Sequence, residues 1–185
     1  MEEANKEFLA RAAKGEQEDE QRVARVRAFV AALRSGQFRQ THGVLHRPDD
    51  PARNVGNVGH CCLGVACEVA ISGGLVLDRI VVPAHGDPRT WFGIVDPVGN
   101  DIGSKETLPS PVKDWFGFDD SNPYLLVPRE VAEKADVTFA NFWSKEKYFS
   151  ASSLNDDFQF SFPWIADCFE YTFLREDWNA TRAAN

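Results

Sequence analysis

The run Gly59-His60-Cys61-Cys62-Leu63-Gly64-Val65-Ala66-Cys67-Glu68 places three of the chain's four cysteines together and continues through Val69, Ala70 and Ile71 with little polar interruption. A segment without a polar face cannot lie on a surface. It is therefore expected to be a helix, or a strand-to-helix element, over residues 62–71, buried on most sides and ended by Ser72-Gly73-Gly74. The rest of the chain must then wrap around it.

With 185 residues, 43% of them hydrophobic and 12% aromatic, the chain is long enough for one sizeable core. Residues 21–185 are read as a single compact domain. Residues 1–20 are charged and poor in large apolar groups, which predicts a mobile, frayed leader outside that core. Charge is unevenly spread. Residues 1–55 hold ten Lys or Arg and nine Asp or Glu, whereas the remainder holds ten and nineteen. Such an acidic body disfavours nucleic acid, whose phosphates need clustered cations. No run of about 18 apolar residues is present, and the N-terminus lacks a secretory pattern, so a cytoplasmic protein without membrane association is expected. Four cysteines, two of them adjacent, are read as reduced thiols rather than a disulfide framework.

Val23, Val26, Val30 and Leu33, widened by Phe29, recur at helical spacing and predict a helix over 22–34 stopped at Ser35-Gly36. Residues 40–47, 75–82 and 90–95 are expected to form a small antiparallel sheet, with a long turn from Pro48 to Gly59. A Pro-initiated helix ending at Gly117, a short helix over 127–135 and an N-capped helix over 162–174 complete an α+β fold. Residues 141–153 are read as a surface loop carrying Trp143, Lys145 and Lys147.

Two blocks bear candidate chemistry. Cys61 or Cys62 at a helix N-terminus would have a stabilised thiolate, and with a base it would be a nucleophile. His85 on a loop after a strand is the first candidate base, followed by His42, His46 and His60, with Gln40 or Asn155 as an oxyanion donor or orienting group. The competing reading is that the cysteines are small buried residues that let the helix pack closely beside Gly64 and Ala66. Metal binding is not expected, because no C-x2-C pair exists and Cys62 and Cys67 do not share a helical face. No cofactor is implied. The Leu154-Asn155-Asp156-Asp157 block reads as a capping turn before a helix, or as a carboxylate pair for acid-base or cation chemistry. Arg34 could anchor an anionic ligand or pair with one of these aspartates.

Set together, Ala32-Leu33-Arg34-Ser35-Gly36 with Gln40, Gly43 and Leu45, then Cys61-Cys62-Leu63-Gly64-Val65, Leu108-Pro109 with Trp115, and Leu154-Asn155-Asp156 with Ile165-Ala166-Asp167 form a pattern. It resembles a group of small bacteriophage and prophage proteins of unassigned function, from about residue 22 to 174. The departures are Phe29 where the group has Trp, a longer link over residues 46–60, Asp157-Phe158 where a Gly is usual, and Pro163-Trp164 in place of a first-turn Glu. The resemblance implies an accessory protein in the cytoplasm of a host bacterium, acting in host takeover or counter-defence by binding a host protein or a small effector molecule. A thiol-dependent hydrolase or transferase is the alternative. If Arg34, Gln40, Cys61, Cys62, Asn155 and Asp156 meet in space, they form either a ligand-lined concavity or a buried hydrogen-bond network.

Overall fold

A computed structural model describes residues 19–49, 58–82, 88–95, 99, 101–135, 148–176 and 179. The first helix, α1, spans 19–34. It thus takes in residues 19 and 20, expected to belong to the leader; the rest of that leader lies outside the described residues. Gly36, with φ of +70°, turns the chain where an L side chain would be strained.

The expected buried helix forms as α2 (Cys62–Ser72), with Cys61 at its N-cap and Cys62 through Cys67 and Ala70 all buried. Phe29 and Leu33 of α1, Phe116 of α3 (Ser110–Phe116) and Ile165 and Phe169 of α6 (Phe162–Phe173) belong to the same core. Aromatic rings join these helices. Phe29 meets Phe169 edge-on at 4.8 Å and lies 5.5 Å from Phe116, which stacks on Phe118 at 5.2 Å. Burying each such ring contributes on the order of 2 kcal/mol. Helix α3 ends as expected at Gly117, which is left-handed at φ +68°. At α6, Ser161 occupies the N-cap but its side chain makes no capping bond, and Pro163 supplies the fixed φ of the first turn instead.

The architecture is α+β, with the sheet divided in three. Strands β1 (His46–Arg47) and β2 (Gly59–His60) pair antiparallel; β3 (Asp78–Val82), β4 (Arg89–Val95) and β5 (Asp101–Ser104) form an antiparallel sheet in the order β3-β4-β5; β6 (Tyr124–Leu126) pairs with β7 (Tyr148–Ser150). Residues 40–47 therefore do not join 75–82 and 90–95 in one sheet as expected. Val44 and Leu45 are core residues, and only His46 and Arg47 run as a strand. Leu45 bonds instead to distant backbone, its N–H to Lys105 O (2.7 Å) and its carbonyl to Cys61 N–H (3.1 Å). Gln40 adds an isolated bridge to His60.

The loop expected over 141–153 ends in structure: Tyr148–Ser150 is β7, and Ala151 opens α5 (Ala151–Asp156). Ser150 caps α5 through the Ser153 N–H at 3.2 Å. Helix α4 (Arg129–Lys134) lies within the expected 127–135. Trp143, Lys145, Lys147 and His85 lie outside the described residues.

Candidate functional site

Cys61 and Cys62 do stand at the N-terminus of α2, the position that favours a thiolate. Burial decides against it. It pushes the Cys61 thiol up to about 12, with the nearby Asp156 charge adding to the rise, and the first-turn amides of Leu63 and Gly64 offset only part. Cys62 and Cys67 are likewise held well above their ordinary value, by burial first and the neighbouring Cys61 next. Burial also raises Cys168. The Cys62 thiol points to Ala151 O at 3.5 Å. All four thiols should therefore react with iodoacetamide at neutral pH far more slowly than free cysteine until urea unfolds the chain. Mass spectrometry of the native protein checks this, and one thiol outpacing free cysteine would restore the nucleophile reading.

Asn155, fully buried, is the hub of a network built from residues far apart in the chain. Its Oδ1 accepts from Gln40 Nε2 (2.9 Å) and from the Cys62 N–H (3.3 Å). Its Nδ2 donates to Thr41 O (2.9 Å) and Asp156 Oδ1 (2.6 Å). Gln40 also donates to Phe160 O (2.7 Å), and His42 Nδ1 lies 2.8 Å from Asn155 O and 3.7 Å from Asp156. One amide thereby satisfies a first-turn N–H of α2 and fixes the loop after α1. The Leu154-Asn155-Asp156 block is thus the last turn of α5, not a capping turn before a helix. Gln40, Cys62, Asn155 and Asp156 meet as a hydrogen-bond network, buried at Cys62 and Asn155 and half-buried at Gln40 and Asp156.

Arg34 stands apart. Its guanidinium bonds Asp167 (2.6 Å) and Glu170 (2.7 Å) on α6 rather than Asp156 or Asp157. Burial opposes its charge, but these two carboxylates outweigh that and raise its pKa. It ties α1 to α6.

A second polar cluster lies behind β1. His46 and His60 stack with ring centroids 4.2 Å apart, and His46 Nδ1 meets Thr90 Oγ1 at 2.8 Å. His60 Nε2 is buried without a hydrogen-bond partner, 3.6 Å from Glu68 Oε1, an ion-pair distance rather than a hydrogen bond. Glu68 also takes a two-pronged bond from Arg79. Burial resists the Glu68 charge, yet His60 and Arg79 prevail and hold its carboxyl below the ordinary range. Burial, then the adjacent His60, lowers His46 from 6.5 to about 4. Its neutral form is thus favoured by folding, so its contribution is complete above pH 6.5 and is lost as pH falls towards 4. His46→Gln should flatten the decline of the urea midpoint over this window, and an unchanged slope would exclude His46 as its source.

Glu68 also faces a cleft of about 610 Å³ between α1 and α2. Ala24, Ala28 and Ala32 of α1 and Val69 of α2 line it, with Trp115 beside one stretch and Phe38 beside another. The two helices run in opposite directions along it. Gly73, at the end of α2, lies against Trp115, where an added Cβ would come within 2.5 Å of Cζ2. Phe38, beyond the end of α1, packs edge-on against His60, the neighbour of Glu68. Arg25 lies at the Trp115 end, its guanidinium 4.7 Å from the ring centroid and donating to Trp115 O at 2.7 Å. None of these residues was a sequence candidate. The alanines at i, i+4 and i+8 were the available signal, a small-residue stripe beside the apolar face of α1.

Among the described residues no group of three or more His, Cys, Asp or Glu is placed to hold a metal ion, and no helix is long and apolar enough to cross a membrane. Fold and cleft together define an α+β domain with an open, helix-lined cleft and four buried cysteines. A family model described as "Domain of unknown function (DUF8296)" matches residues 21–173, and the chain belongs to that family. No curated protein and no solved structure matches it.

Proposed function

We propose that the protein acts by binding, that its partner is a small effector molecule rather than a host protein, and that the α1–α2 cleft holds it. The observation that carries this reading is the cleft itself. Its volume of about 610 Å³ falls in the range of small-molecule sites, and its apolar walls carry few polar groups at defined places. The raised thiol pKa values support binding over cysteine catalysis. The resemblance to phage and prophage proteins supports an accessory role in the host cytoplasm, in takeover or counter-defence.

Native mass spectrometry after incubation with a bacterial metabolite extract tests the proposal. The wild-type protein should retain a small-molecule adduct that Ala28→Trp, which fills the cleft from an exposed position, abolishes without lowering the melting temperature. An adduct unaffected by Ala28→Trp would place the site elsewhere. No adduct would overturn the small-molecule reading.

A further inference from the structure

Arg25 differs from four arginines elsewhere in the fold. Arg34, Arg79, Arg89 and Arg129 each hold a carboxylate, from Asp167 and Glu170, Glu68, Glu106 and Glu133 respectively. Arg25 holds none among the described residues. Its contacts are the Trp115 ring, Trp115 O and, at 3.4 Å, Gln21 Oε1, all of them uncharged. These contacts fix the guanidinium plane without neutralising it, and they leave N–H groups unused, since a guanidinium carries five. An uncompensated cation is notable in a chain with 28 acidic and 20 basic residues. It is held half-buried at one end of an apolar cleft.

Resting on the small-molecule reading above, we infer that the ligand is an organic anion with an apolar body, its carboxylate or phosphate meeting Arg25 beside Trp115. A pre-positioned guanidinium loses little freedom on binding, and its fork matches the two oxygens of such groups. The body then lies along Ala28 and Ala32 towards Phe38. Arg25 sets the direction: Glu68, the other charged residue of the lining, is already engaged by Arg79, so the charged group of the ligand meets the guanidinium at the Trp115 end.

The test uses three probes sharing one ring: indole-3-acetate, its neutral amide indole-3-acetamide, and the cation tryptamine, each titrated by NMR on the full chain. Wild-type protein should bind the acetate about tenfold more tightly than the amide, a charge-assisted preference that salt weakens. Arg25→Gln should erase that preference, and Arg25→Lys, which keeps the charge but not the fork, should retain part of it. Circular dichroism confirms that both variants fold. If all three probes bind alike, and Ala28→Trp removes them alike, the cleft is a ligand site but the anion inference fails. If none binds, or Ala28→Trp removes none, both the inference and the cleft reading fall.

Discussion

Gly64→Ala is expected to destabilise the domain by about 3 kcal/mol or more, although it adds one methyl group to a helix and improves its intrinsic propensity by about 1 kcal/mol. The added Cβ would collide with the Leu45 carbonyl and lie 2.6 Å from its carbon. Neither side can yield cheaply. The obstacle is backbone, not the end of a flexible side chain, and the Leu45 carbonyl is already engaged by the Cys61 N–H at 3.1 Å. Relief would require α2 to move away from Leu45 at the centre of the core, loosening Leu63 and Val65 with it. Urea unfolding followed by circular dichroism measures the loss. A cost below about 1 kcal/mol would mean that α2 can shift without disturbing its neighbours.

Asn155→Ala is the second large effect, at about 3 kcal/mol or more, because it removes a hydrogen-bond partner from several polar groups at once. The Cys62 N–H, the Gln40 amide and Thr41 O would each lose a partner in a region where Asn155 itself is wholly buried. Asn155→Asp separates the two halves of the amide. It keeps an oxygen for Gln40 and Cys62 but loses the donor to Thr41 O and sets a second carboxylate beside Asp156. It should therefore be no better than alanine at neutral pH. Comparable urea midpoints for Asn155→Asp and wild type would show that the donor half of the amide is dispensable.

Both effects concern residues that the sequence marked out, yet for different reasons than their structural roles. The Cys61-Cys62 block stood out for reactivity, and its position at a helix N-terminus was legible because the apolar run starts there. The thiol pKa was not legible, since it depends on how completely other segments seal the helix end. Asn155 stood out as a turn former, but it lies inside α5, where its amide reaches residues more than 90 positions away. Side-chain bonds over that distance leave no periodic trace. The division of the sheet was hidden for a similar reason, because Val44 and Leu45 have the composition of a strand but find their backbone partners in Lys105 and Cys61 rather than in a neighbouring strand.

The sequence by itself determined the elements whose causes are local. The apolar stripe of α1, the absence of a polar face on α2 and the Pro and Gly that bracket α3 follow from side-chain periodicity and backbone restriction within a few residues. Tertiary structure alone decided what meets what: Arg34 with α6, Gln40 with Asn155, and Arg25 with Trp115 across a 90-residue separation to form one end of the cleft. The physical reason is that burial and pairing energies belong to the assembled core, where a group's neighbours, not its place in the chain, set whether it is charged, satisfied or left facing a cavity.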